Sequence, residues 1–219
     1  MPLQTAQRLR IVFRKDAEIK YISHLDLMRC WERALRRADV NLAYSHGFNP
    51  RPKLVFASAL PVGSTGRAEM VDITLDQRID LRDFAFCLNA QLPFGLHLVS
   101  ATEVPSALPS LPGQVVAAEY EVLLESKDSP DAMQSRLNRL LAAETVRRHR
   151  ERPDGNRVYD LRPLIKKLWI VGRRAEMYAI GMRLQADAQG TGRPDEVMAA
   201  LDMADAVRRI ERVRLVMRE

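Results

Sequence analysis

Sulfur is scarce in this chain: Cys30 and Cys87 are its only cysteines in 219 residues. Two thiols are too few for an iron-sulfur cluster, and these two stand too far apart for a zinc knuckle, so both read as buried thiols. No metal and no cofactor is expected. No apolar run approaches the roughly 20 residues that a membrane-spanning helix needs. The N-terminal MPLQTAQRLR lacks the apolar core of a secretory signal, so a cytoplasmic protein without membrane contact is expected. No Gly-x-Ser-x-Gly, phosphate loop, dinucleotide fingerprint or His-Glu-x-x-His motif occurs, which removes the common hydrolase, nucleotidase and zinc-protease signatures.

What the chain does have is unevenly distributed positive charge. Its net charge is +6, from 34 basic and 28 acidic residues. Residues 147–174 hold ten arginines and lysines against three acids, an excess of seven in that one stretch. A concentrated cationic footprint favours a polyanion over a small neutral substrate.

The stretch VPSALPSLPG divides the chain nearly in half, and its three prolines predict an extended linker over 104–117. Before it, residues 1–103 read strand, helix, strand, strand, helix, strand. The helices fall at 23–38 and over DLRDFAFCLNAQL, and KLVFASAL and AEMVDITL form the middle strands. After it, residues 118–219 return the same order, with TVRRHRER as the second strand and helices over 130–143 and 194–203. Residues 158–171 interrupt that order and predict a short helix capped by Asp160, with Pro163 in its first turn. The halves show no residue-level repeat. The pattern predicts an α+β protein of two tandem ferredoxin-like domains, each βαββαβ.

Ser23 followed by Asp26 is a variant capping box that starts the first helix at His24. Leu27, Trp31, Ala34, Leu35 and Ala38 share one face, and Arg29, Arg33, Arg36 and Arg37 the other. Glu32 and Asp39 are the nearby carboxylates, and neither has the favoured spacing to Arg33 or Arg37, so the stripe is suited to phosphates. The loop SHGFNPRPK follows directly. Asn-Pro and Arg-Pro steps with Gly47 predict a shaped, ordered loop that presents Arg51 and Lys53. Phe48 either stacks on a base or plugs the core. A second cationic surface is expected from Arg147, Arg148, His149 and Arg150 with Arg162, Lys166 and Lys167.

Catalytic candidates are limited to Tyr21, His24 and His46. A metal-independent ribonuclease needs acid and base groups of this kind. At the first helical position, His24 sits in the positive end of the helix dipole, which favours a neutral imidazole able to accept a proton.

Residues 21–63, YISHLDLMRCWERALRRADVNLAYSHGFNPRPKLVFASALPVG, resemble the opening signature of the radical-SAM-linked domain family, and YDLRPLI at 159–165 is similar to a second motif of it. That family is of uncharacterised function and occurs alone or fused behind cobalamin-binding radical SAM enzymes. The resemblance implies a radical SAM enzyme as partner. The chain lacks the Cys-x-x-x-Cys-x-x-Cys loop, so that chemistry would belong to the partner. The tandem architecture, with a histidine at the first helix, also resembles the CRISPR repeat-processing endoribonucleases. Three functions follow as expectations: an accessory protein that binds RNA (tRNA or rRNA) and presents it to a radical SAM enzyme, an endoribonuclease, or a docking module for that enzyme without RNA contact.

Overall fold

Alternation sets the first strand of the protein. In β1 (Gln7–Lys15), Leu9, Ile11 and Phe13 are fully buried, and the residues between them are partly exposed. This computed structural model describes residues 7–150 and 157–218. It is a mixed α+β structure built on antiparallel strand pairs. It divides into two compact units, Met1–Val115 and Val116–Glu219.

In the first unit, one turn of 3-10 helix leads from β1 to α1 (His24–Arg37). The Ser23 hydroxyl accepts the Asp26 N–H at 3.1 Å, so the helix begins where the cap predicts. Its buried stripe is Leu27, Trp31, Ala34 and Leu35. The Trp31 ring meets Phe13 edge-on at 4.9 Å, and Phe13 in turn meets Phe56 at 5.8 Å. After the loop come β2 (Leu54–Phe56), β3 (Thr65–Leu75), α2 (Leu81–Asn89) and β4 (Leu96–Glu103). The strand order is β2-β3-β1-β4. The strand expected over 53–60 shortens to three residues, because the chain bends at 57–58.

The cysteine expectation needs correction. α2 buries only Phe84 and Leu88, one turn apart, so Cys87 falls off the buried stripe and is exposed. Cys30 is half-buried against the core.

The proline-rich segment is tied down. Arg8 donates to the carbonyls of Leu108 at 2.7 Å and Pro109 at 3.0 Å, and the Gln114 amide donates to Pro109 at 2.6 Å. Leu111 is buried in the single turn α3 (Leu111–Gln114). β5 (Val115–Glu125) then starts at Val115, inside the stretch expected to be linker.

The second unit continues with α4 (Pro130–Ala142), capped by Ser129, whose hydroxyl accepts the Ala132 N–H at 3.2 Å. A hairpin of β6 (Arg147–Arg150) and β7 (Arg157–Asp160) follows, then β8 (Ile165–Arg174) and β9 (Met177–Asp187). The short β10 (Gly190–Thr191), α5 (Pro194–Ala200) and β11 (Val207–Met217) complete it. The main strand order is β8-β9-β5-β11.

Two expectations fail here. Among the described residues, the strand predicted at TVRRHRER pairs only with β7 and stays out of this sheet, where β8 takes its place. The helix predicted over 158–171 shrinks to one 3-10 turn, Arg162–Leu164, between β7 and β8. Its N-cap is Leu161 rather than Asp160, which lies one residue earlier and accepts the N–H groups of Arg162 at 3.0 Å and Val146 at 2.7 Å.

Two cross-strand contacts fix the second sheet. Trp169 lies opposite Gly181, and its indole occupies the space that a Cβ at 181 would take. Glu119 on β5 accepts from Arg183 on β9 at 2.8 Å and from Arg214 on β11 at 2.6 Å. The Arg214 hydrogen bond, followed by that of Arg183, holds the Glu119 carboxyl below the usual carboxylate range.

Candidate nucleic-acid interface

The loop 45–53 is built by a pair of hydrogen bonds at its neck. Ser45 N–H donates to the Arg51 carbonyl at 2.8 Å, and Arg51 N–H donates to the Ser45 hydroxyl at 2.9 Å. One step further down, Lys53 N–H donates to the Ala43 carbonyl at 2.8 Å. Gly47 takes φ +130°, a conformation disfavoured for residues with a Cβ. Phe48 is fully exposed, so it is not a plug over the core. His46 and Arg51 are exposed beside it on the same loop.

Two depressions of the first unit flank this loop, and Pro52 lines both. One, of about 250 Å³, joins Arg36 of α1 to Tyr44, and also includes the carboxylates of Glu32, Asp39 and Asp76. The other, of about 620 Å³, is lined by Arg51 and Lys53.

The arginine stripe divides into engaged and available groups. Arg29 forms an exposed ion pair with Asp26 at 3.3 Å. Arg37 donates to the side-chain oxygen of Gln91 at 3.2 Å and to its carbonyl at 2.6 Å. Arg36 shares its depression with three carboxylates, which offset its charge. Arg33, Arg51 and Lys53 have no acidic side chain within 4 Å among the described residues, and Arg33 and Arg51 are exposed.

The second cationic surface is more heavily engaged. Arg148 is paired with Glu196 at 2.8 Å. Arg162 donates to the carbonyls of Leu141 and Ile165, so its guanidinium binds backbone at the C-terminal end of α4. Lys166 donates to the Pro163 carbonyl at 3.0 Å, and its charge helps lower Asp187, although the Gln185 hydrogen bond is the largest cause there. Lys167 stands over the Trp169 ring at 5.5 Å. Arg147 and His149 are exposed on β6, while the Arg150 side chain, Glu151 and Arg152 lie outside the described residues.

The catalytic candidates occupy different settings. His24 is half-buried, its ring edge-on to buried Phe56 at 5.2 Å. Tyr21 is exposed, with the Lys20 ammonium 5.0 Å from its ring centre, and His46 is on the exposed loop. Among the described residues, no cluster of three His, Cys, Asp or Glu side chains is placed to hold a metal ion. No helix among them is long and apolar enough to cross a membrane.

Sequence reasoning missed Arg8 and Asp72. Asp72 is buried and accepts from Arg8 at 2.7 Å and Arg10 at 2.9 Å, an arrangement that joins β1 to β3 beside the loop. The signal was available as opposite charges on the strand face away from Leu9, Ile11, Val71 and Ile73, but the sequence does not pair them.

Comparison with known proteins gives a family and a fold. Residues 8–194 match the family described as "Uncharacterized protein conserved in bacteria (DUF2344)". No curated protein matches the chain. Among solved structures, a chain from a "Cbf5-Nop10-Gar1 Complex" crystal structure superposes with a TM-score of 0.53 at 9% identity, over 98% of this chain and 51% of that one. This chain thus spans about half the length of that structure, and the likeness concerns the fold alone.

Proposed function

The chain belongs to this family of uncharacterized proteins conserved in bacteria, and we propose that it is a cytoplasmic RNA-binding protein that presents structured RNA to a partner radical SAM enzyme. The observation that carries the reading is the necked loop 45–53, which holds an exposed aromatic ring and an unpaired guanidinium outward together. A preformed loop loses little conformational entropy on binding. Phe48 offers a stacking face, and Arg33, Arg51 and Lys53 offer phosphate contacts. Arg147 and His149 offer a separate cationic surface on the second unit, whereas Arg162 serves the fold.

Each unit is, in this reading, a ferredoxin-like βαββαβ module. The strand orders β2-β3-β1-β4 and β8-β9-β5-β11 support it, since both place the first and third strands of a module at its centre and the fourth beside the first.

The test is binding of labelled tRNA and rRNA fragments across a salt series, with RNA integrity followed on gels. A steep loss of affinity with salt is expected, from release of counterions at several phosphates. Reversal of Arg33, Arg51 and Lys53 to glutamate flattens that slope and leaves the RNA intact. No binding at low salt overturns the reading. Cleavage that disappears in His24→Ala or His46→Ala replaces it with the nuclease.

A further inference from the structure

The 620 Å³ depression beside the loop has a composition that the RNA reading alone does not use. Val55 and Pro52 supply apolar wall over the buried Leu54 and Leu111, Ser106 and Ser110 supply hydroxyls, and Arg51 and Lys53 supply charge. Its size falls within the range of small-molecule sites.

The charge balance of the lining is decided by Asp72. Both of its carboxylate oxygens are taken by the guanidinium groups of Arg8 and Arg10, so it does not neutralise the lysine. The remaining cations, Arg51 and Lys53, have no ion-pair partner among the described residues. The cavity is therefore poised for an anion. The same Arg8 holds the far wall through the Leu108 and Pro109 carbonyls, and Gln114 links Arg10 to Pro109, so that wall is preorganised.

We infer that this cavity binds one nucleoside monophosphate unit. The phosphate lies against Lys53 and Arg51, the base lies against Val55 and Pro52 above the buried Leu54 and Leu111, and the serine hydroxyls meet sugar or base edges. An inorganic anion would leave the apolar wall unused, and a neutral apolar ligand would leave two cations unused. The inference deepens the RNA reading and takes its choice of ligand from it. The same chemistry is presented by a free mononucleotide and by an unstacked nucleotide of an RNA chain.

The experiment follows the leucine methyl resonances of the full-length protein while AMP, inorganic phosphate or a single-stranded RNA hexamer is added. AMP is expected to shift the Leu54 and Leu111 methyls and to bind at least about tenfold more tightly than phosphate, the scale of a few buried apolar contacts. Lys53→Glu weakens AMP at least tenfold. Val55→Trp, at a partly exposed strand position that tolerates a large ring, fills the cavity and abolishes the shifts. The hexamer reproduces the AMP shifts if the nucleotide comes from RNA. AMP shifts without hexamer binding support the cavity as a site for free mononucleotide and count against RNA. RNA binding that leaves both methyls unmoved, with AMP also silent, overturns the cavity and leaves the RNA reading standing. Phosphate binding as tightly as AMP, or indifference to both substitutions, overturns it as well.

Discussion

Ser45 and Arg51 are bonded to each other twice, once through the Arg51 carbonyl and once through the Ser45 hydroxyl. Five residues, including the exposed Phe48, are thereby looped out from a closed neck. Ser45→Ala removes the hydroxyl acceptor and leaves one bond. Exchange of the Arg51 amide hydrogen should accelerate by about tenfold, the scale of one net hydrogen bond. RNA affinity should fall while thermal stability of the unit barely moves. An unchanged exchange rate would mean that the prolines alone hold the loop.

Arg162 is predicted to be a stabilising residue with no part in RNA binding. Its half-buried guanidinium satisfies the carbonyls of Leu141 and Ile165. Arg162→Ala should cost about 1–3 kcal/mol in urea unfolding, since charged hydrogen bonds are lost and buried carbonyls are left unmet. The salt slope of RNA binding should not change. A smaller slope at full stability would return this arginine to the interface.

Glu119 makes the second unit sensitive to acid. The Arg214 hydrogen bond first, and that of Arg183 next, hold its carboxyl below the 4.5 of an unperturbed glutamate. Between the two values the unfolded chain binds the proton and the fold does not. Stabilisation is therefore complete above about pH 4.5 and declines as pH falls through the lowered folded value. Glu119→Gln should cost about 1–2 kcal/mol at pH 7 and flatten the dependence between pH 5 and pH 3. Equal pH slopes for both proteins would remove Glu119 as the cause.

Gly181→Val should destabilise the second unit by about 1–3 kcal/mol, the range for overpacking. The Trp169 indole occupies the Cβ position at 181, so the ring must leave Gly181 and Lys167 loses its aromatic surface. A red shift of the Trp169 emission, together with the lowered unfolding midpoint, would report it. Unaltered emission and stability would show that the ring relocates at no cost.

Local signals were the legible ones. The Ser23 cap, the apolar stripe from Leu27 to Leu35, and the proline-and-glycine loop all act within a few residues, and each appears where its chemistry predicts. β8 was hidden by two register shifts, between Ile165 and Lys167 and between Ile170 and Gly172. These break the period-two alternation and leave Leu161, Leu164, Ile165 and Leu168 spaced as on a helix. The choice between a helix and a strand was made by pairing with β9. Arg162 was misread for a related reason: its partners are backbone carbonyls, which every residue carries and no sequence pattern marks. Arg29 and Arg37 looked unpaired because an acid at i−3 was discounted for the first, and the Gln91 partner of the second lies 54 positions away.

The chain has two tryptophans, and the fold places one in each unit. Trp31 is fully enclosed beside Phe13, and Trp169 is half-buried on β8 under a lysine. The unmodified protein thus contains two fluorophores of different colour, a blue emitter for the first half and a redder one for the second. Denaturation followed at two wavelengths reads the order in which the halves melt.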